Sequence, residues 1–295
     1  MPPSTREFVS ADLAAADAVP AADARRATLG SAIGRPAGAI GAAILIAATA
    51  AGIVSPVLMR SDPFALAGPP LSPPSRLHLM GTDGLGRDLF SGVMHGAGAS
   101  LLIAACVGAL ALLCGLSIGL AAGYRGGIVD DVLMRITELF QVLPRFFLVA
   151  VVIALFGPGL DRFVLALGLT SWPVLARVVR SEIVAMRHLD FVLATEALGA
   201  SRTHVVLRVL LPHLWPSLLV LLGLLLGQVL LMEASLGFLG FGDPSVMTWG
   251  MLAGQAQSFL RVAWWLSVFP GLAIMLTVMG FNLFADALSA ASQPR

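Results

Sequence analysis

Few side chains in this sequence are placed to do covalent chemistry. All 18 basic residues are arginines, so the chain has no lysine. A Walker A phosphate loop needs a lysine to reach the β- and γ-phosphates, so no site of that kind exists here. Schiff-base chemistry on a lysine amine is excluded by the same absence. His78, His95, His188, His204 and His213 are scattered over different loops and apolar runs, and no HExxH pair occurs. Cys106 and Cys114 stand eight residues apart in one apolar run, too far apart on a helix to bridge to each other. Neither a catalytic constellation nor a metal site emerges. The charges with functional promise are instead isolated ones, Arg145 and Glu233, in or beside long apolar stretches.

Those stretches dominate the composition. Of 295 residues 58% are hydrophobic and only 12% charged, against about 25% charged in an ordinary soluble domain, and the mean hydropathy is +0.90. A water-facing globule of this length lacks its polar skin, so the composition predicts an all-α polytopic membrane protein. Net charge is +1, which gives no electrostatic support to a nucleic-acid partner. Lipid is the expected surroundings.

A spanning helix needs about 20 mostly apolar residues. Six runs qualify: 37–59, 89–124, 132–156, 163–179, 209–232 and 262–285. With the N-terminus inside, twelve arginines fall in inside segments (Arg6, Arg25, Arg26, Arg35, Arg125, Arg135, Arg177, Arg180, Arg187, Arg202, Arg208 and Arg295). Five fall outside (Arg60, Arg76, Arg87, Arg162 and Arg261), and Arg145 stays in the membrane. Positive charge concentrates in cytoplasmic loops, so both termini are expected in the cytoplasm of a bacterial-type inner membrane. The first apolar run is too long and starts too late for a signal-peptide core, and reads as an uncleaved anchor. The expected layout is a disordered tail over 1–35, a first helix with its outer loop over 36–90, and a five-helix core over 91–295.

Four stretches depart from plain spans. The proline-rich outer loop ends in His78-Leu-Met-Gly-Thr-Asp-Gly-Leu-Gly-Arg-Asp88, where Thr82 or Asp83 could cap a short helix leading into the second span. It lacks the alternating carboxylates of a calcium loop. Gly126, Gly127, Asp130 and Asp131 suit a tight turn into a helix N-terminus. Pro144 should kink the third span. Arg145 beside it costs about 2.5–3.5 kcal/mol at membrane depth, so it should face a partner or a water-filled path, or snorkel to an interface. In the segment from Arg180 to Pro216, a helix over 191–198 should stop at Gly199. Ser201 should cap the next helix, and Pro212 should break that one before the fifth span. Two short amphipathic helices at a right-angle turn would make either a docking surface or a membrane-surface element.

The spacing within that segment resembles the EAA loop of ABC-importer permeases: Glu-Ala-Ala, three residues, Gly, nine residues, an Ile-type residue, one residue, Leu-Pro. Ala194 takes the first alanine position, Gly199 the glycine, Val209 the Ile-type position, and Leu211-Pro212 the close. Leu193 stands where the pattern has glutamate and Thr195 replaces the second alanine, while Glu196 could supply charge nearby. Further matches are Gly81-Thr-Asp-Gly-Leu-Gly-Arg-Asp88, Gly126-Gly-Ile-Val-Asp-Asp-Val-Leu-Met-Arg135, Trp172-Pro-Val-Leu-Ala-Arg177, Glu233-Ala-Ser-Leu-Gly-Phe-Leu-Gly-Phe-Gly242, Ser245-Val-Met-Thr-Trp-Gly250, Phe269-Pro-Gly-Leu-Ala273 and Asn282-Leu-Phe-Ala-Asp-Ala-Leu288. In that order they resemble the C-type permease subunit of the dipeptide, oligopeptide and nickel importers.

The resemblance implies a six-helix type I ABC-importer fold whose loop at about 188–213 docks on an ATPase. The implied docking residues are Asp190, Leu193, Ala194, Thr195, Glu196, Gly199, Ala200, Ser201, Leu211 and Pro212. The implied periplasmic motif is Gly81, Thr82, Asp83, Gly86, Arg87 and Asp88, with Arg145 and Glu233 as pathway candidates. It also implies that this chain binds no cofactor, with ATP and Mg held by two separate ATPase subunits. The remaining implied partners are a homologous second permease and an extracytoplasmic binding protein that delivers the solute, a peptide, nickel or another small molecule. An ion-driven transporter would instead show an inverted repeat and intramembrane carboxylates, and a membrane enzyme would show a catalytic constellation. The sequence shows no such repeat, its uncharged runs hold no Asp or Glu, and no catalytic constellation is present.

Overall fold

A computed structural model describes residues 30–58, 62–142 and 144–292. Residues 1–29 of the tail expected over 1–35, and Met59, Arg60 and Arg295, lie outside the described residues, as do Arg6, Arg25 and Arg26 within that tail. The described residues are almost entirely helical, with only two isolated β-bridges, Leu66–Arg87 and Thr82–Asp88. A helical turn over 30–33 buries Ala32 against Ala287 and Leu288. The main elements are α1 (Pro36–Leu58), α2 (Leu89–Arg125), α3 (Gly127–Val142), α4 (Arg145–Phe156), α5 (Leu160–Met186), α6 (Asp190–Ala197), α7 (Leu211–Phe238), α8 (Trp249–Ala256) and α9 (Trp265–Ser292). Five helices are long and apolar enough to span a membrane, and there are six if α3 and α4, a bent pair, count as one broken span.

The expected third span is two helices rather than one kinked one. α3 and α4 meet at 78°, and Pro144 takes the N-cap position of α4 with φ −62° and ψ 117°. Proline cannot donate to a preceding turn and clashes with it, so the helix restarts after it instead of bending through.

Pro212 behaves differently. It does not break the path into the fifth span: residues 202–238 run on as one helical span. Val205–Leu210 forms a π-turn in which the Leu211 N–H bonds to the Val206 carbonyl, five residues back. That wider turn shifts the hydrogen-bond register just ahead of the residue that has no N–H. Proline then sits in the first turn of α7, where it is tolerated. The expected pair of short helices is therefore a single one, α6, followed by a lead-in to α7.

The tightest packing in the bundle is α2 against α5, and it depends on small residues. Gly115, Gly119 and Gly123 recur every fourth residue on one face of α2. They face Leu175, Val179 and Ile183 on α5, each at most 1% exposed. In a membrane no hydrophobic drive brings helices together, so close backbone approach through small residues supplies the attraction. A second core gathers Trp249, Leu252, Trp265 and Leu266 around the start of α2. It includes α8, a short helix capped by Thr248, whose hydroxyl accepts from the Met251 N–H at 3.1 Å. α8 was not foreseen in the stretch between the last two spans.

At Gly119, a Cβ would lie 2.6 Å from the Val179 Cβ and 2.7 Å from the Ala176 carbonyl oxygen. Gly119→Ala should therefore cost about 1–3 kcal/mol as overpacking, read as a lowered unfolding temperature in detergent. Gly271→Ala, which meets nothing within 4 Å, should leave that temperature within a degree or two. Equal behaviour of the two variants would overturn the ladder's role.

Candidate functional site

At one end of the bundle, α6 is held from three directions. Val192 is fully buried beneath it. Phe191 stacks on His213 of α7, with ring centroids 5.3 Å apart. The Tyr124 hydroxyl at the end of α2 donates to Glu196 Oε1 at 2.8 Å. Gly199 then turns the chain with φ +86°, a left-handed conformation that side chains resist. Ser201 caps the lead-in to α7 by accepting from the His204 N–H at 3.3 Å.

The outward face of α6 is uncovered. Leu193 is 47% exposed and Leu198 76%, while Asp190, Ala194, Glu196 and Gly199 are also exposed and Thr195 and Ala200 half-buried. Leu211 and Pro212 are half-buried in the first turn of α7, near His213. Between α6 and the end of α2 opens a cavity of about 600 Å³ lined by Tyr124, Arg187, His188, Glu196 and Arg202, among others. Behind it, Arg180 on α5 grips Asp130 on α3, with Nη2 2.6 Å from Oδ2 and Nε 3.1 Å from Oδ1.

At the opposite end, residues 62–88 fold into a compact loop with its own internal hydrogen bonds. Asp88, and not Thr82 or Asp83, caps α2: its Oδ2 accepts from the Ser91 N–H at 2.9 Å, and its Oδ1 lies 3.1 Å from His78 Nδ1. Thr82 and Asp83 are buried stitches instead. The Thr82 hydroxyl donates to the Pro69 carbonyl at 2.7 Å and accepts from the Ser72 N–H at 2.8 Å. Asp83 Oδ1 accepts from the Leu85 and Arg87 N–H groups, each at 2.8 Å. Trp265 Nε1 on α9 donates to the Thr82 carbonyl at 3.2 Å and locks the loop onto the bundle. Gly81 and Gly86 sit buried at its turns, and the Arg87 guanidinium lies 5.0 Å over the Phe64 ring. The predicted motif residues thus come together as a scaffold.

Between α7 and α8 at that same end, Asp243 anchors the start of α5 by accepting from the Leu160 N–H at 3.2 Å. The Ser245 hydroxyl and N–H, 2.6 and 2.9 Å from its Oδ1, hold its carboxyl below the usual carboxylate range.

The two isolated intramembrane charges do not share a site. Glu233 is 2% exposed and accepts from the Ser100 hydroxyl at 3.2 Å. That hydroxyl in turn accepts from the Trp249 N–H at 3.2 Å, so Glu233 ties α7, α2 and α8 together and does not line the open cavity beside Arg145. Arg145 is half-buried and borders a cavity of about 520 Å³ with Ser171 on α5 and Gln228 and Ser235 on α7. Among the described residues no group of three or more His, Cys, Asp or Glu could hold a metal.

Residues 115–295 match the family described as the binding-protein-dependent transport system inner membrane component. The chain belongs to that family. It is 36% identical over 265 residues to the probable D,D-dipeptide transport system permease protein DdpC of Escherichia coli, with 89% of each chain covered. It is 35% identical over 232 residues to the di/tripeptide transport system permease protein DppC of Pseudomonas aeruginosa, covering 76% of this chain and 77% of that one. An inward-facing structure of the MetNI methionine ABC transporter shares the fold, with a TM-score of 0.56 at 20% identity over 68% of this chain and 97% of the other. The chain is therefore a multi-pass inner-membrane transport component of the binding-protein-dependent kind.

The Tyr124–Glu196 contact joins residues 72 apart, and sequence reading marked Glu196 without a partner. Its net worth is about 1 kcal/mol. Tyr124→Phe should then raise amide hydrogen exchange across residues 190–200 by roughly fivefold. Unchanged exchange there would show that Val192 and Phe191 hold α6 without it.

Proposed function

We propose that this chain is the C-type permease subunit of an ABC importer for di- or oligopeptides. It forms half of the translocation pathway, with a homologous second permease as the other half. An extracytoplasmic binding protein delivers the peptide at the end bearing residues 62–88, and two ATPase subunits, which hold ATP and Mg, dock at the α6 end. Both termini are then cytoplasmic, in keeping with the arginine distribution. The relatives named as dipeptide permeases support the solute class.

The observation that carries the docking assignment is α6 itself. It is a short helix pinned on its inner side by Val192, Phe191 and Tyr124, with an uncovered apolar edge formed by Leu193 and Leu198. A helix lying on the membrane surface would place its charged residues away from its apolar edge. Here Glu196, in the last turn of α6, is instead held by the Tyr124 hydroxyl. A rigid element fixed at its back and open at its front suits a groove on a protein partner.

Closure of the ATPases on ATP would push on α6. The push passes to α2 through Tyr124, to α7 through His213, and to the α3–α5 pair through Asp130 and Arg180. Such a push shifts the bundle only if the ATPases bind its two states with different affinity. Leu193 takes the place of the EAA glutamate, so this loop would dock with less charge and more apolar contact at that position.

Gly199→Asp, placed where φ is +86°, should abolish ATP-dependent peptide uptake by the assembled transporter while leaving the chain inserted. Full uptake by that variant would sink the docking assignment. Purified alone, the chain should neither bind nor hydrolyse ATP, and turnover without partners would count against the whole assignment.

A further inference from the structure

Arg145 lies in the spanning region, and neither a sequence motif nor the fold accounts for it. It begins α4, a 12-residue half-helix that follows the 78° break at Pro144. The turn after α4 and the start of α5 lie at the same end of the bundle as the turn after α7, because the Leu160 N–H is bonded to Asp243. Measured from that end, Arg145 lies about three helical turns deep along α4. Ser171 is about three turns into α5, and Gln228 is about three turns from the end of α7. Three polar side chains from three helices, Arg145, Ser171 and Gln228, thus border one cavity of about 520 Å³ near mid-membrane, with Ser235 on its rim toward the end of α7 and apolar neighbours that include Phe146 and Met232. That volume is in the range of small-molecule pockets.

No carboxylate answers Arg145. Among the described residues the ion pairs are His78–Asp88 and Arg180–Asp130, and none of the cavity's lining residues is acidic. Glu233 is occupied elsewhere by Ser100. The first turn of α4 adds to the local positive potential: its N-cap is Pro144, which offers no side-chain acceptor to the free N–H groups. A guanidinium cannot face hydrocarbon without large cost, and broken spans in transporters present half-helix N-termini to anionic solute groups. Two positive features converge on one cavity with no protein anion among its lining residues.

We infer that this cavity is the mid-membrane subsite for the solute's carboxylate. Arg145 and the N-terminus of α4 receive the negative end of the peptide, while Gln228 offers hydrogen bonds to its polar backbone and the Ser171 and Ser235 hydroxyls, which donate to the Leu167 and Leu231 carbonyls, are left to accept. The inference rests on the peptide assignment above and adds where in the membrane the peptide is held, and by which end.

The test is uptake of a labelled dipeptide with a free C-terminal carboxylate by cells carrying the complete transporter, normalised to the amount of inserted chain. Arg145→Gln should lower uptake at least tenfold, and Arg145→Lys, which keeps the charge, should stay within about threefold of wild type. Gln228→Glu leaves Arg145 in place but supplies an internal carboxylate to the same cavity. It should lower uptake at least tenfold, while Gln228→Met should change it less than threefold. Uptake by Arg145→Gln or Gln228→Glu within twofold of wild type would overturn the subsite, as would a lysine variant no better than the glutamine one. If the wild-type transporter takes up no dipeptide, the peptide assignment itself fails and the subsite with it. Should Arg145→Gln fail to insert, the Gln228 pair decides alone.

Discussion

The close approach of α2 and α5 through Gly115, Gly119 and Gly123 is the constraint on which the rest of the structure depends. Lipid gives two apolar helices no reason to prefer each other over acyl chains, so contact has to come from backbone proximity. The three glycines let Leu175, Val179 and Ile183 sit directly on the α2 backbone. Everything at the α6 end inherits its position from that seam. Tyr124 is one residue beyond Gly123, Arg180 one residue beyond Val179, and Arg187 reaches back to the Gly123 carbonyl at 3.0 Å. A seam shifted by one turn would pull the Tyr124 hydroxyl away from Glu196 and the Arg180 guanidinium away from Asp130.

Two prolines at comparable positions in the sequence produce opposite local outcomes, and the difference is set by what their backbones can do. Pro144 ends one helix and starts another, leaving an uncapped N-terminus beside Arg145. Pro212 is absorbed, because the π-turn ahead of it bonds one residue further back and the path continues. In hydrocarbon every freed backbone group needs an internal partner or a water-filled cavity. The break at Pro144 borders such a cavity, whereas the chain at Pro212 stays helical. One proline thus opens the bundle's interior and the other preserves a stiff connection between α6 and α7.

The loop over 62–88 has the opposite character to α6. Its carboxylates and threonine are used internally, Thr82 and Asp83 by backbone groups and Asp88 by a helix start and a histidine. α6 instead leaves its apolar edge unspent. A scaffold at one end and an open docking edge at the other fit a chain that is held rigid where solute arrives and is pushed where energy arrives.

The amino-acid sequence by itself determined the class of molecule, since long uncharged runs can reach low free energy only as lipid-embedded helices. It also determined local events that need no distant partner: the stop at Gly199, the cap at Ser201, and the interruption at Pro144. The extents of the helices were less legible, because α5 continues as helix about two turns beyond the end of its apolar run and α8 is too short to announce itself by periodicity. What only the tertiary structure decided are the pairings of polar groups far apart in the chain. Ser100 with Glu233, 133 residues apart, makes a buried brace of a candidate pathway residue. Tyr124 with Glu196 makes an anchor of a stray charge. Arg145, which received no such partner, is left facing open space. Polar side chains in a membrane must be answered by something, and which of them the protein answers itself depends on helix packing that no local pattern encodes.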